Sequence, residues 1–167
     1  MSQGFDFHNE EEDQANDEAK YLLFRLDNDL YGTPLLGVRE VIEPQPTKHI
    51  PNTVSYFKGL INIRGQVVGT LDLRIRLDYP VSEGKKQALL VFETETGAVA
   101  AVVDMVEAVI KIEEKDLHKK PNVRSHVPLE FLLGVTSYQG QLVTLIDLNR
   151  AFSQEDLVEV RHGKLAG

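Results

Sequence analysis

The chain has 167 residues, 42% hydrophobic and 26% charged, the size and balance of one ordinary globular domain or two very small lobes. It holds no cysteine, which excludes disulfide staples, thiolate metal sites and cysteine nucleophiles. Net charge is −8, of which residues 1–18 hold −7 through Asp6, Glu10, Glu11, Glu12, Asp13, Asp17 and Glu18, so residues 19–167 sum to −1 and offer no cationic excess for nucleic acid.

The acidic leader 1–18 lacks the apolar surface to offset the entropy of ordering and reads as a disordered tail. It is a solubilising segment, with docking as the second reading. Tyr21–Leu26 and Tyr31–Leu36 are apolar runs on either side of Asp27-Asn28-Asp29, a strand–turn–strand signal. Val38-Arg39-Glu40-Val41-Ile42 follows. Strict alternation puts Val38, Glu40 and Ile42 on one face and Arg39 and Val41 on the other. Pro44, Pro46 and Pro51 stiffen the next connection, and Thr53–Lys58 has room for a single helical turn.

Gly59–Leu73 then recurs 75 residues later as Gly134–Leu148, with six identities in register: two glycines, a Gln, a Val, an Asp and a Leu. Upstream, at an offset of 68, Phe24 matches Phe92, Val38 matches Val106, and Val41-Ile42 matches Val109-Ile110. Ala88–Phe92 and Ala98–Val103 flank a hairpin candidate at Thr94–Gly97, and Gly65-Gln66 and Gly140-Gln141 stand where hairpin turns belong. Two copies of one unit, built from short Val-, Ile- and Leu-rich runs, predict a mainly β protein of two similar small barrels. A groove between the lobes would suit a partner's apolar helix. Ser153-Gln154-Glu155-Asp156 resembles a capping box and predicts a short C-terminal helix in the segment 153–167.

The search for chemistry finds little. There is no phosphate-cradling glycine loop and no nucleophile elbow. His8, His49, His118, His126 and His162 show no metal-ligand spacing, so no metal and no cofactor is expected. Asp72 and Asp147 could form an acid/base pair. Their equivalence in the repeat favours the same local duty performed twice, a carboxylate ending a strand and bonding nearby backbone N–H groups. No apolar run approaches the ~20 residues of a membrane span, and no signal-peptide pattern opens the chain, so a cytoplasmic location is expected.

Val38-Arg39-Glu40-Val41-Ile42, Ile50-Pro51-Asn52, the run from Gly59-Leu60-Ile61-Asn62-Ile63-Arg64-Gly65-Gln66-Val67-Val68 to Asp72-Leu73, and Ala101-Val102-Val103-Asp104-Met105-Val106 together resemble the CheW family, from about Lys20 to Phe152. The resemblance implies two intertwined five-stranded SH3-like β-barrel subdomains within residues 19–152. It implies no catalysis. The implied role is an adaptor joining the cytoplasmic tips of chemoreceptors to the regulatory domain of a CheA-type histidine kinase, with membrane association only through receptors.

The site residues implied are Glu40, Asn62, Arg64, Val102 and Val103 toward the receptor, and Val38 and Gly59 toward the kinase. For Val102 and Val103 core packing is the first reading and groove lining the second. Glu40 also has an ion pair with Arg64 open to it, and Asn62 can cap its own turn. Gly69-Thr70 departs from the family pattern, which has Pro and then a β-branched residue there; losing proline's fixed φ is expected to loosen this strand. Two other readings are an adaptor of another chemosensory circuit, such as twitching or gliding motility, and a small-molecule binder or hydrolase using the inter-lobe groove.

Overall fold

The computed structural model describes residues 5–6, 19–81, 86–119 and 127–152, with backbone alone for 5–6. The strands are β1 (Phe5–Asp6), β2 (Lys20–Leu26), β3 (Asp29–Pro34), β4 (Val38–Ile42), β5 (Phe57–Ile63), β6 (Gln66–Asp72), β7 (Ala88–Thr94), β8 (Gly97–Val103), β9 (Met105–Lys111), β10 (Leu132–Tyr138) and β11 (Gln141–Ile146). One-turn helices α1 (Leu73–Arg76) and α2 (Leu148–Ala151) follow β6 and β11. The repeat is literal: β2–β6 and α1 reappear as β7–β11 and α2.

The copies exchange strands. One sheet runs β1-β4-β7-β8-β6-β5 and the other β10-β11-β3-β2-β9. The first hairpin of each copy thus lies in the sheet built from the rest of the other copy. Parallel contacts β6·β8 and β11·β3 seal each exchange. Each sheet also closes on itself through one bridge beyond its edge. Lys48, after β4, exchanges two backbone hydrogen bonds with Leu60 of β5 (2.8 and 2.9 Å), and His118, after β9, exchanges two with Val135 of β10 (both 2.9 Å). Each bridge shortens the exposed edge of its sheet without pairing β4 or β9 along their length.

The repeated glycines Gly59 and Gly134 sit at those bridges. A Cβ on Gly59 would lie 2.3 Å from the Lys48 carbonyl oxygen, and one on Gly134 would lie 3.0 Å from that of His118. Gly59 also has φ +141°, which side-chain-bearing residues rarely adopt. The close approach it permits is to its own chain, so the glycine is explained by barrel closure.

Central strands read as unbroken apolar runs because both of their faces are covered. In β8, Val99, Ala101 and Val103 join the largest core with Leu22, Phe24, Leu90 and Phe92, whereas Ala100 and Val102 join a second core with Ile61, Val68 and Val91 inside the first lobe. Leu23, Leu30, Val143 and Leu145 form its counterpart inside the second lobe. The largest core draws on both sheets, so packed side chains bind the lobes together where the sheets meet.

Several expectations change. Thr53–Lys58 forms turns and the start of β5, not a helical turn, because Phe57 is already paired with Leu71. The second strand ends at Pro34, short of Leu36. Within the leader, Phe5–Asp6 is a strand; the rest of 1–18 and the C-terminal helix expected after Ser153 lie outside the described residues. Alternation fails in β4. A register shift between Val38 and Glu40 inserts Arg39 as a bulge, turning Val38 to the largest core with Val41 while Ile42 packs on the second core. Gly69, by contrast, lies in register with Leu60 on one side and Val99 on the other, so its strand stays paired across the departure from the family pattern.

Candidate interaction surface

The β5–β6 hairpin turns through Arg64 (φ 49°) and Gly65 (φ 86°), flanked by the pair Ile63 and Gln66. Two consecutive positive φ values define the type I′ geometry that matches the twist of two-residue hairpins. Asn62 supports the turn: its Oδ1 accepts a hydrogen bond from the Gly65 N–H at 2.8 Å. Arginine in left-handed backbone costs roughly 1–2 kcal/mol relative to glycine. That position aims an exposed guanidinium beside β4, where Arg64 Nη2 donates to Glu40 Oε2.

Glu40 is mostly covered. Its other carboxylate oxygen, Oε1, is buried and accepts no hydrogen bond among the described residues. Beside it lies a cleft of about 120 Å³, with Val68 and Val91 among its apolar walls and Arg39, Gln66 and the Glu40–Arg64 pair among its polar ones. Val67, next along β6, is 64% exposed. The second lobe repeats the plan with other residues. Gln139 (φ 49°) and Gly140 (φ 78°) make the turn, and Leu142, the counterpart of Val67, is 53% exposed. A shallow cleft of about 440 Å³ there is lined in part by Lys111, His118, Thr136 and Leu142.

The structure therefore brings together Glu40, Asn62 and Arg64 at one hairpin tip. It does not bring the other named residues to the surface. Val102 and Val103 are 2% and 0% exposed and belong to two different cores, so packing is the reading they meet and direct partner contact is corrected. Val38 is buried by the β4 bulge and Gly59 by the Lys48 bridge, which removes both from direct contact as well.

Asp72 and Asp147 perform the same local duty twice, the reading that their equivalence in the repeat favoured over an acid/base pair. Each caps its own short helix, accepting from the N–H two residues on, at 3.0 Å from Arg74 and 2.9 Å from Asn149. Among the described residues no group of three or more His, Cys, Asp and Glu side chains is arranged to hold a metal ion.

Sequence reading missed three features. Arg74 is 2% exposed and forks onto Asp72 (Nη2–Oδ2 2.8 Å, Nε–Oδ1 3.0 Å) while reaching Asp104 at 3.2 Å. Its partners hold it charged, raising its pKa further; the hydrogen bond it donates to Asp72 is the largest cause. Arg76 lies between the rings of Tyr56 and Phe131, 5.4 and 4.8 Å from their centroids, and donates to the Ala151 carbonyl at 2.8 Å. Val67 and Leu142 are the third. An offset of 75 makes them counterparts, as it does Tyr56 and Phe131, and Arg76 and Ala151.

Residues 20–156 match the CheW-like domain model. The chain belongs to the CheW-like domain family. Among its CheW relatives, the chemotaxis protein CheW of Treponema pallidum is 26% identical over 149 residues, 86% of this chain and 88% of that one. CheW of Klebsiella aerogenes is 28% identical over 142 residues, 84% and 86% of the two chains. The crystal structure of the scaffolding protein TtCheW from Thermoanaerobacter tengcongensis superposes with a TM-score of 0.74 at 26% identity, covering 83% of this chain and 95% of that one. The two intertwined β subdomains described above are thus the CheW fold.

Proposed function

We propose that this CheW-like chain is a non-catalytic chemotaxis scaffold that joins the cytoplasmic tip of chemoreceptors to the regulatory domain of a CheA-type histidine kinase. The observation that carries the reading is the family match across residues 20–156, seconded by likeness to a protein described as a scaffold. A cytoplasmic place, with membrane contact only through receptors, goes with this role. No described helix is long and apolar enough to cross a membrane.

The receptor contact is assigned to Glu40, Asn62 and Arg64. The guanidinium is a planar fork suited to a receptor carboxylate or carbonyl. The buried Oε1 of Glu40 is an acceptor that a partner's donor would satisfy. An apolar floor with a charged rim is the ordinary anatomy of a protein interface. Val38, Gly59, Val102 and Val103 serve by holding strands β4, β5 and β8 in place behind it.

Mixing the purified chain with a kinase regulatory domain and a receptor-tip helical hairpin should give a stoichiometric complex in size-exclusion chromatography and calorimetry. No complex with either would overturn the proposal. Arg64→Glu should weaken receptor binding at least about tenfold, as loss of a central charged contact does. The thermal melt should drop by less than about 1 kcal/mol, since the Arg64 side chain is 69% exposed and surface ion pairs contribute little. A collapsed melt would make Arg64 structural instead.

A further inference from the structure

The acidic leader is the one sequence feature that the scaffold role leaves unused. Two of its residues are placed. Phe5 pairs antiparallel with Val41 and Asp6 with Glu40, on the side of β4 away from β7. The equivalent outer edge, that of β9 in the second lobe, has no strand against it among the described residues. Phe5–Asp6 therefore lie on one of two equivalent edges, and it is the edge that carries Glu40.

We propose that Phe5–Asp6 is a removable cover, held in cis on the outer edge of β4, that competes with the partner engaging the Glu40–Arg64 surface. The competition rests on the receptor contact proposed above; the cover itself does not. A bare strand edge offers unpaired N–H and C=O groups that any extended chain can meet. A strand of two residues supplies only a few ladder bonds, so it closes the edge without locking it. An equilibrium of this kind lowers apparent affinity by the fraction of molecules that are uncovered.

The test uses the full-length chain and a Phe5→Pro/Asp6→Pro variant, because proline deletes the backbone donor and disfavours pairing. Hydrogen exchange of the amides at 39–42 reads the cover, and calorimetry with a purified receptor tip reads the competition. The expected result is faster exchange at the β4 edge in the variant, with receptor binding about three- to tenfold tighter. Unchanged exchange would overturn the cover. Faster exchange with unchanged measurable binding would overturn the competition. If neither protein bound the receptor tip while exchange still differed, the receptor contact would fail and the cover would stand, as a closure of the edge with no competing receptor.

Discussion

The turns Arg64–Gly65 and Gln139–Gly140 share one backbone and carry different side chains. The same contrast holds along both copies of the unit. Where the backbone needs a specific residue, the copies agree: Gly59 and Gly134 at the closing bridges, Gly65 and Gly140 in the turns, Asp72 and Asp147 capping the one-turn helices. Elsewhere they diverge. Glu40 stands opposite Ala108, Arg64 opposite Gln139, Arg74 opposite Asn149 and Arg76 opposite Ala151. Duplication supplied a fold twice, and divergence placed a charged hairpin tip and a buried guanidinium network in the first copy only. The largest tests of this contrast make the same change in both copies.

Arg74→Ala against Asn149→Ala should differ most. Removing the Arg74 side chain leaves the Asp72 carboxylate, 0% exposed, with the backbone N–H of residue 74 at 3.0 Å and Lys58 at 3.9 Å in place of a guanidinium. Breaking a buried ion pair on one side costs about 3–5 kcal/mol. Asn149 is exposed and enters the cap through its backbone N–H, which alanine keeps, so that variant should change stability by less than about 0.5 kcal/mol. Urea denaturation of both variants reads the difference; equal losses would show that the Arg74 network adds nothing to the fold.

Gly59→Ala against Gly134→Ala comes next. At Gly59 the new Cβ meets backbone, Lys48 O at 2.3 Å, in a conformation with φ +141°; at Gly134 its nearest contact, 2.7 Å away, is the movable Leu117 Cδ1. Combined strain and overpacking should cost about 2–4 kcal/mol at Gly59 and about 1 kcal/mol at Gly134. The reverse order would mean that the Lys48 bridge opens more easily than the His118 bridge.

These pairs also show what the sequence could reveal. Identities at fixed offsets exposed the positions where backbone geometry allows one residue type, and Gly65-Gln66 and Gly140-Gln141 located the two hairpins, although each turn lies one residue earlier, at Arg64-Gly65 and Gln139-Gly140, with Gln66 and Gln141 already in strands. The Glu40–Arg64 pair was legible as one of two readings. Helices of four residues were not legible, since one turn is too short for an apolar period to show. The bulge at Arg39 escaped as well, because alternation assumes an unbroken ladder and one extra residue reverses every face before it. Burial of Arg74 was not legible: a carboxylate two residues away, Asp72, is just as common on a solvated face, and the second partner, Asp104, is 30 residues away on the corner between β8 and β9. Strand exchange came from family resemblance alone: periodicity says that a strand has a buried face, not whose strand lies beside it.

Charge, however, does mark the neighbour. Arg39 of β4 pairs with Glu93 of β7 at 3.0 Å, and Arg25 of β2 pairs with Glu107 of β9 at 2.8 Å. At an offset of 68, Arg39 is the counterpart of Glu107 and Glu93 of Arg25, so the two ion pairs are one pair with its signs reversed. Arg39 and Glu107 are also the residues left unpaired by the register shifts in β4 and β9, so equivalent bulges aim opposite charges. If each copy kept its own strands, Arg39 would face Arg25 and Glu107 would face Glu93. Like charges across strands disfavour that arrangement, so the reversal favours exchange.

Arg39→Glu with Glu107→Arg should lower stability by about 1 kcal/mol, the exposure of these pairs holding the effect down, and adding Arg25→Glu with Glu93→Arg should restore it. No recovery in the fourfold variant would dismiss charge as a guide to pairing. Acid titration gives the finest reading. The hydrogen bond and charge of Arg25 hold the Glu107 carboxyl below its ordinary value of 4.5. Its contribution is complete above that value and disappears as pH falls through the lowered one, because the folded state must then take up a proton that the unfolded state already holds. Arg25→Gln should therefore flatten the loss of stability on acidification while leaving its position near neutral pH only slightly lower; parallel acid limbs for the two proteins would show that the pair makes no pH-dependent contribution to stability.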